Sequence, residues 1–389
     1  MTKHLLSLIG PVILAAGCSY QEPPKPIEPT VVTLPSQGFS VHWRATLGVD
    51  PAKVNQLFAI DDYIFVYTEE NEAEVFRRDS GRPIYRGVMC KREHKLQPPV
   101  VLKDWVVYPA LSALEVYDRK GKHLRSLPLR EAVRSPACND QDTIYYSQGG
   151  RVAAVHCGPQ PHSTLPRWEF MSAYSGGFEA APAIQADTLI AAGRNGCVYA
   201  VRSSDRLAAW PMWQDTDYAY RTGGAVLADV KADASGAYVA STDSKLYCFD
   251  LNNGLVRWAY YAQTELKESS SPTLTVDSVY LFVPGKGVVA INKGGAEAPT
   301  RNPRWSVKEG VRFLAQDDKC AYLQTEKNLI LAVDKQTGAP KYTSSRSDLT
   351  ALAVNTKDNL IFATTSTGEL LCVKPIVKAG ARGEVVCAE

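Results

Sequence analysis

Between residues 40 and 375 the chain alternates short apolar runs with polar turns, at a spacing too tight for helices. The clearest instance is Leu246-Tyr247-Cys248-Phe249-Asp250-Leu251-Asn252-Asn253-Gly254-Leu255-Val256-Arg257-Trp258. The run from Leu246 to Phe249 has the continuous apolar character of a strand buried on both faces. Asp250, Asn252, Asn253 and Gly254 supply turn chemistry, because Asn and Gly tolerate the left-handed backbone of a hairpin. Trp258 then falls on the next strand. One hairpin cannot bury its own apolar face, so neighbours are required.

The chain supplies them at a period of roughly 40 residues, a repeat-architecture signal. With Cys248 as reference, the equivalent positions are Val75, Val116, Ala154, Ala200, Ala290, Ala332 and Cys372. All are small or β-branched, which predicts close packing of one sheet on the next. A second strand precedes each, as in Tyr63-Ile64-Phe65-Val66-Tyr67 and Ala237-Tyr238-Val239-Ala240. Further upstream an inner strand often opens with proline (Pro99, Pro136, Pro182 and Pro272), which is tolerated at a strand's first residue. Downstream, a fourth strand carries an aromatic: Tyr85, Trp168, Trp210, Trp258, Trp305 and Tyr342. The second copy lacks one and reads Leu124-Arg125-Ser126-Leu127. The prediction is therefore all-β, an eight-bladed β-propeller of four-stranded antiparallel blades.

The eighth unit lacks its own aromatic fourth strand. Phe39-Ser40-Val41-His42-Trp43-Arg44-Ala45-Thr46-Leu47 has the fourth-strand pattern without three strands before it. The expectation is that this N-terminal strand closes the ring, with Trp43 as the missing aromatic. Closure removes open sheet edges. Glu384-Val385-Val386-Cys387 is the rival for the same place.

The first residues carry a different signal. Lys3 and His4 form a basic start, an apolar segment follows, and Leu14-Ala15-Ala16-Gly17-Cys18 ends it. This resembles a bacterial lipoprotein signal, with Ala15 where Leu is usual, and implies lipidation of Cys18. An ordinary secretory signal cleaved nearby is the alternative. Ser19 is not the Asp associated with inner-membrane retention, which points to the outer membrane. Five prolines between Tyr20 and Pro35 suggest an extended tether. The expected organisation is a signal at residues 1–17, anchor and tether at 18–36, propeller at 37–377 and a tail at 378–389.

Composition adds constraints. Nineteen Tyr and seven Trp favour strands. Forty-three Lys and Arg against 41 Asp and Glu leave a net charge of +2, which gives no reason to expect nucleic acid.

The stretch Ala332-Val333-Asp334-Lys335-Gln336-Thr337-Gly338-Ala339-Pro340-Lys341-Tyr342 resembles the Ala-x-Asp-x-x-Thr-Gly-x-x-x-Trp motif of pyrroloquinoline-quinone-like (PQQ-like) propeller repeats, with Tyr for the final Trp. Residues 248–258 match at the same spacing. Residues 200–210 keep the spacing with Arg202, Asp205 and Arg206 at the polar positions. The third and sixth copies have longer hairpins, through Pro159-Gln160-Pro161-His162 and Ala296-Glu297-Ala298-Pro299. The resemblance implies that the aromatics, Trp43 included, dock between adjacent blades. Within the family, quinoprotein dehydrogenases carry quinone and Ca²⁺ on the propeller axis and are much longer. This chain has no adjacent cysteines and no Cys-x-x-Cys-His haem site. The BamB-type lipoproteins of outer-membrane protein assembly are similar from end to end: anchored Cys, short tether, Trp-bearing closing strand and eight compact blades.

Catalytic signals are weak. His156, Cys157 and His162 are close in sequence, but no further ligand pair supports a metal. There is no phosphate loop and no Gly-x-Ser-x-Gly elbow. The acidic residues fall at turns, where Asp commonly bonds its own backbone. Cys248 and Cys372 read as buried thiols at the small-residue position. Cys157, Cys197 and Cys387 are the better candidates for disulfides in an oxidising envelope. No catalytic, cofactor-binding or metal residue is assigned, and no cofactor is expected. The expected role is a non-catalytic, lipid-anchored scaffold on the periplasmic side of the outer membrane, a monomer within a complex of envelope proteins. Two other classes remain: a small quinone-binding protein or PQQ-dependent oxidoreductase, and a propeller that binds a ligand or glycan.

Overall fold

In the computed structural model, residues 38–157, 168–171, 176–210, 219–294, 300–379 and 385–387 are described. They form eight blade sheets of a propeller, each built on a four-stranded antiparallel meander, and one separate two-stranded sheet. Each blade is a meander whose first strand lines the axis and whose fourth strand faces outward. Blade 1 runs through Val54–Ile60, Tyr63–Thr68, Glu72–Arg77 and Pro83–Val88; blade 5 through Lys231–Asp233, Gly236–Ser241, Lys245–Phe249 and Val256–Tyr261. The second and third strands are almost wholly buried. That burial explains why they read as continuous apolar runs rather than alternating ones.

The N-terminal strand Phe39–Thr46 is the fourth strand of blade 8, antiparallel to Glu369–Pro375, with Trp43 opposite Cys372. The rival segment pairs elsewhere: Val385–Cys387 forms a separate two-stranded hairpin with Val377–Ala379. The ring is thus closed by hydrogen bonds between the two ends of the propeller sequence.

The small reference residues have a cause other than sheet-on-sheet approach. Outside blade 4, each lies between a residue of the second strand and one of the fourth on the same face of its own blade. Ala154 is opposite Tyr145 and Trp168, Cys248 opposite Tyr238 and Trp258, and Ala290 opposite Tyr280 and Trp305. The flanking rings approach across it, with centroids 5.9 Å apart for Tyr145–Trp168 and Tyr238–Trp258, and 5.8 Å for Tyr280–Trp305. A larger residue between them would force the rings apart.

The turn aspartates do more than bond their own backbone. Asp140 and Asp317 accept hydrogen bonds from the Tyr145 and Tyr322 hydroxyls at 3.0 and 2.5 Å. Asp233 accepts from Ser235, whose Oγ lies 2.7 Å from the Tyr238 hydroxyl. A buried phenol needs such a partner.

Blade 4 departs from the regular plan. Ala209 donates its backbone N–H to Ala200, but the ladder resumes only at Ala219–Arg221, beyond residues 211–218, which lie outside the described residues. Blade 5 gains a fifth strand, since Thr300–Arg301 from the blade 6 hairpin pairs parallel to Ala259 and Tyr260. Cys157 and Cys197 are buried free thiols. This corrects the expectation of disulfides at those positions: each packs as an apolar side chain, in a different cluster. Cys248 and Cys372 are likewise buried and free.

Candidate interaction surface

The seven aromatics sit at the junctions between blades. Trp43 donates its indole N–H to the carbonyl of Arg78 (3.1 Å), Trp168 to Ser203 (3.0 Å), Trp210 to Leu251 (2.9 Å) and Trp305 to Lys335 (2.9 Å). The acceptor is always the third residue after the small reference position of the next blade. Tyr85 instead shares a hydroxyl contact of 2.5 Å with Tyr108 of blade 2. Trp258 is buried, with the Arg301 guanidinium over its ring at 5.7 Å. Tyr342 packs edge-on against Phe39 with centroids 5.2 Å apart. A β-bulge one residue before the aromatic recurs at His42, Ile84, Arg257 and Lys341. The extra residue twists the strand and re-aims the ring at the next blade. The hairpin glycine beneath completes the seat: a Cβ on Gly338 would lie 2.7 Å from Trp305, and Gly338 has φ +73°.

Sequence reasoning missed two parts of this junction. In blade 2, Arg125 stands opposite Val116 after a bulge at Leu124 and donates Nη2 to the Cys157 carbonyl at 2.8 Å. It therefore makes the bond an indole makes elsewhere. The second part is a set of inter-blade ion pairs. The acceptor residue is itself cationic in several blades, and its side chain reaches back to the first turn of the preceding blade. Arg78 meets Asp358 at 2.9 Å, Lys335 meets Asp277 at 3.0 Å, and Lys293 meets Asp233. Arg119 donates to the Tyr63 hydroxyl at 2.8 Å. A cation three residues after the small position was the available signal.

The corner joining the closing strand to blade 1 is held by a buried carboxylate. Glu74 Oε2 accepts from the backbone N–H of Gly48 (2.8 Å) and of Val49 (3.3 Å), and Arg86 donates to the Gly48 carbonyl. Burial pushes the Glu74 carboxyl above its ordinary value, against the opposing pull of these two N–H bonds and Arg86. A raised folded-state value means the folded protein holds the proton more tightly. Its contribution to stability is then full below the unfolded value and lost as pH rises through the folded one. Wild type should therefore lose stability relative to Glu74→Gln as pH rises from about 4 toward neutrality. Urea midpoints of both proteins across that range check it; a parallel pair of curves contradicts it.

The two faces of the ring differ. Fourth-to-first connections and second-to-third turns open on one face, and these connections include the irregular stretches 89–99, 129–137, 222–230 and 262–272. On this face Glu131, Arg134, Ser135, Phe178, Glu179 and Arg194 line a groove of about 450 Å³ between blades 2, 3 and 4. Arg194 pairs with Glu179 at 3.2 Å. Exposed apolar side chains end the fourth strands of three blades at the rim of the same face: Val88 (64% exposed), Met171 (61%) and Tyr261 (54%). They stand singly, on the non-adjacent blades 1, 3 and 5. The opposite face shows Leu207, Leu255 and Val276 at hairpin tips. An axial channel of about 1250 Å³ runs between the first strands, with Asn55, Asn139, Lys231, Glu268, Arg312 and Thr350 among its lining.

Of the other singled-out residues, His156 ends the third strand of blade 3 and is exposed, and Cys157 directly follows it and is buried. Cys18, His162 and the two long hairpins at 159–162 and 296–299 lie outside the described residues. Among the described residues no three His, Cys, Asp or Glu converge as a metal cluster would.

A family model described as "Outer membrane protein assembly factor BamB" matches residues 28–260, more than half of the chain. The chain belongs to the BamB family. Its likeness to solved structures agrees in fold. BamB from Moraxella catarrhalis superposes with a TM-score of 0.64 at 16% identity, covering 86% of this chain and 97% of that one. The computationally designed Ika8 protein gives 0.63 at 12% identity, covering 85% and 98%. No curated protein sequence matches the chain. A likeness to both a natural BamB and a designed protein shows how far this fold separates from any one activity.

Proposed function

We propose that this BamB-family chain is a non-catalytic scaffold of the bacterial envelope. In this reading it binds other proteins through its loop face and takes part in outer-membrane protein assembly. It is held at the periplasmic side of the outer membrane by lipid on Cys18, with residues 18–36 as tether. The observation that carries the reading is family membership over residues 28–260. The loop face supports it with a groove lined by both charge signs and with exposed apolar side chains at the ends of three fourth strands.

Site-specific photo-crosslinking tests the face. A crosslinker at Met171 or Tyr261 in the full chain, expressed in its own envelope, should trap protein partners. The same group at Leu255 on the opposite face should trap far less. Equal capture from both faces would contradict the assignment. For the anchor, Cys18→Ser should move the chain from the membrane fraction to the soluble periplasmic fraction; an unchanged distribution would contradict lipidation at Cys18.

A further inference from the structure

The face opposite the irregular loops carries exposed apolar tips on three consecutive blades. Leu207 of blade 4 (58% exposed) and Leu255 of blade 5 (42%) stand at the same place, seven residues after the small reference position, where blade 1 has Arg82. Val276 of blade 6 (96% exposed) sits in the turn between the first and second strands. Other blades fill that turn with polar residues, such as Asp61-Asp62, Lys103-Asp104 and Asp317-Asp318. Turn chemistry is all that a hairpin tip requires of its residues. The packing of the ring therefore does not account for leucine or valine at these three places.

The chain enters the ring on this same face. Phe39 opens the closing strand there, opposite Pro375. Its ring packs edge-on against Tyr322 with centroids 5.8 Å apart, and the Tyr322 hydroxyl bonds Asp317 in one of the turns of this face. Residues 19–37 separate Cys18 from Gly38. A chain of that length spans about 65 Å at full extension. For the loop face to reach a bilayer, this tether would have to pass around the rim of the ring. The hairpin face approaches directly, with less chain to order.

We propose that Leu207, Leu255 and Val276 dock this face on the phospholipid surface to which the chain is anchored, their side chains entering the interfacial layer. The proposal rests on an anchor N-terminal to the propeller, as in the function proposed above. Both charge signs are exposed on the face, Arg82 and Lys120 against Asp79 and Asp104, so the contact depends on apolar burial rather than on attraction to anionic lipid. Docked in this way, the ring turns its loop face away from the membrane and leaves it open to protein partners.

Photo-crosslinking tests it, with the full chain purified from its own envelope and reconstituted in vesicles of phosphatidylethanolamine and phosphatidylglycerol. A crosslinker at Val276 should capture phospholipid about tenfold more than one at Tyr261 on the other face. Changing Leu207 and Leu255 together to Ser should reduce capture at Val276 by about fivefold or more, with the thermal midpoint unmoved because both tips are exposed. The crosslink reads which face meets lipid, whereas fractionation of Cys18→Ser reads separately whether Cys18 carries the anchor. Equal capture from both faces, capture of a second copy of the chain in place of lipid, or capture at Val276 unchanged by the paired substitution overturns the proposal.

Discussion

Removing residues through Leu47 is expected to unfold the entire ring rather than merely loosen one blade. Phe39–Thr46 supplies the fourth strand of blade 8, so its loss leaves Glu369–Pro375 as an unpaired edge. It also removes Trp43 from its seat on Gly81, where a Cβ would meet the indole at 2.4 Å, and leaves the Arg78 carbonyl without its donor. The blade 8–blade 1 cluster of Val66, Phe76, Phe362 and Leu370 loses Leu47 in the same step. A ring has no independent blades to fall back on, because each buries its faces against two neighbours. The loss should approach the whole stability of a domain, about 5–15 kcal/mol. A chain beginning at Gly38 is the control that separates loss of the strand from loss of the anchor. Circular dichroism and urea unfolding of the two read the result. A wild-type midpoint in the chain starting after Leu47 would contradict closure by this strand.

Trp258→Ala should cost about 3–5 kcal/mol. Trp258 is 2% exposed and lies among Tyr238, Leu246, Leu266 and Val279, a cluster that spans blades 5 and 6. Truncation would open a cavity at a junction that the small Cys248 opposite cannot fill. It would also strip the ring beneath Arg301, whose strand caps the outer edge of blade 5. A loss below about 0.5 kcal/mol, the range of an ordinary surface substitution, would mean that blades 5 and 6 do not pack through this residue.

These two predictions rest on features legible in the sequence. Cys248, ten residues before Trp258, repeats as a pattern because every blade must solve the same packing problem. Trp43 is legible as the orphan fourth strand for the same reason. What the repeat cannot show is what departs from it. Arg125 reads as a missing aromatic, because its bond to Cys157 depends on a bulge that spacing does not reveal. The Lys293–Asp233 pair joins residues far apart in sequence, in adjacent blades. Cys157 and Cys197 suggested disulfides only because composition says nothing of distance. The candidate surface was the least legible of all. Met171 and Tyr261 lie on regular strands, and their exposure follows from being the last rung at an open rim.

The scaffold reading is tested most directly by affinity purification of the full chain from its own envelope extract. The account predicts that a component of outer-membrane protein assembly co-purifies with wild type, and that recovery falls when Met171 and Tyr261 are changed together to Glu. Recovery of no such component would contradict the proposed role.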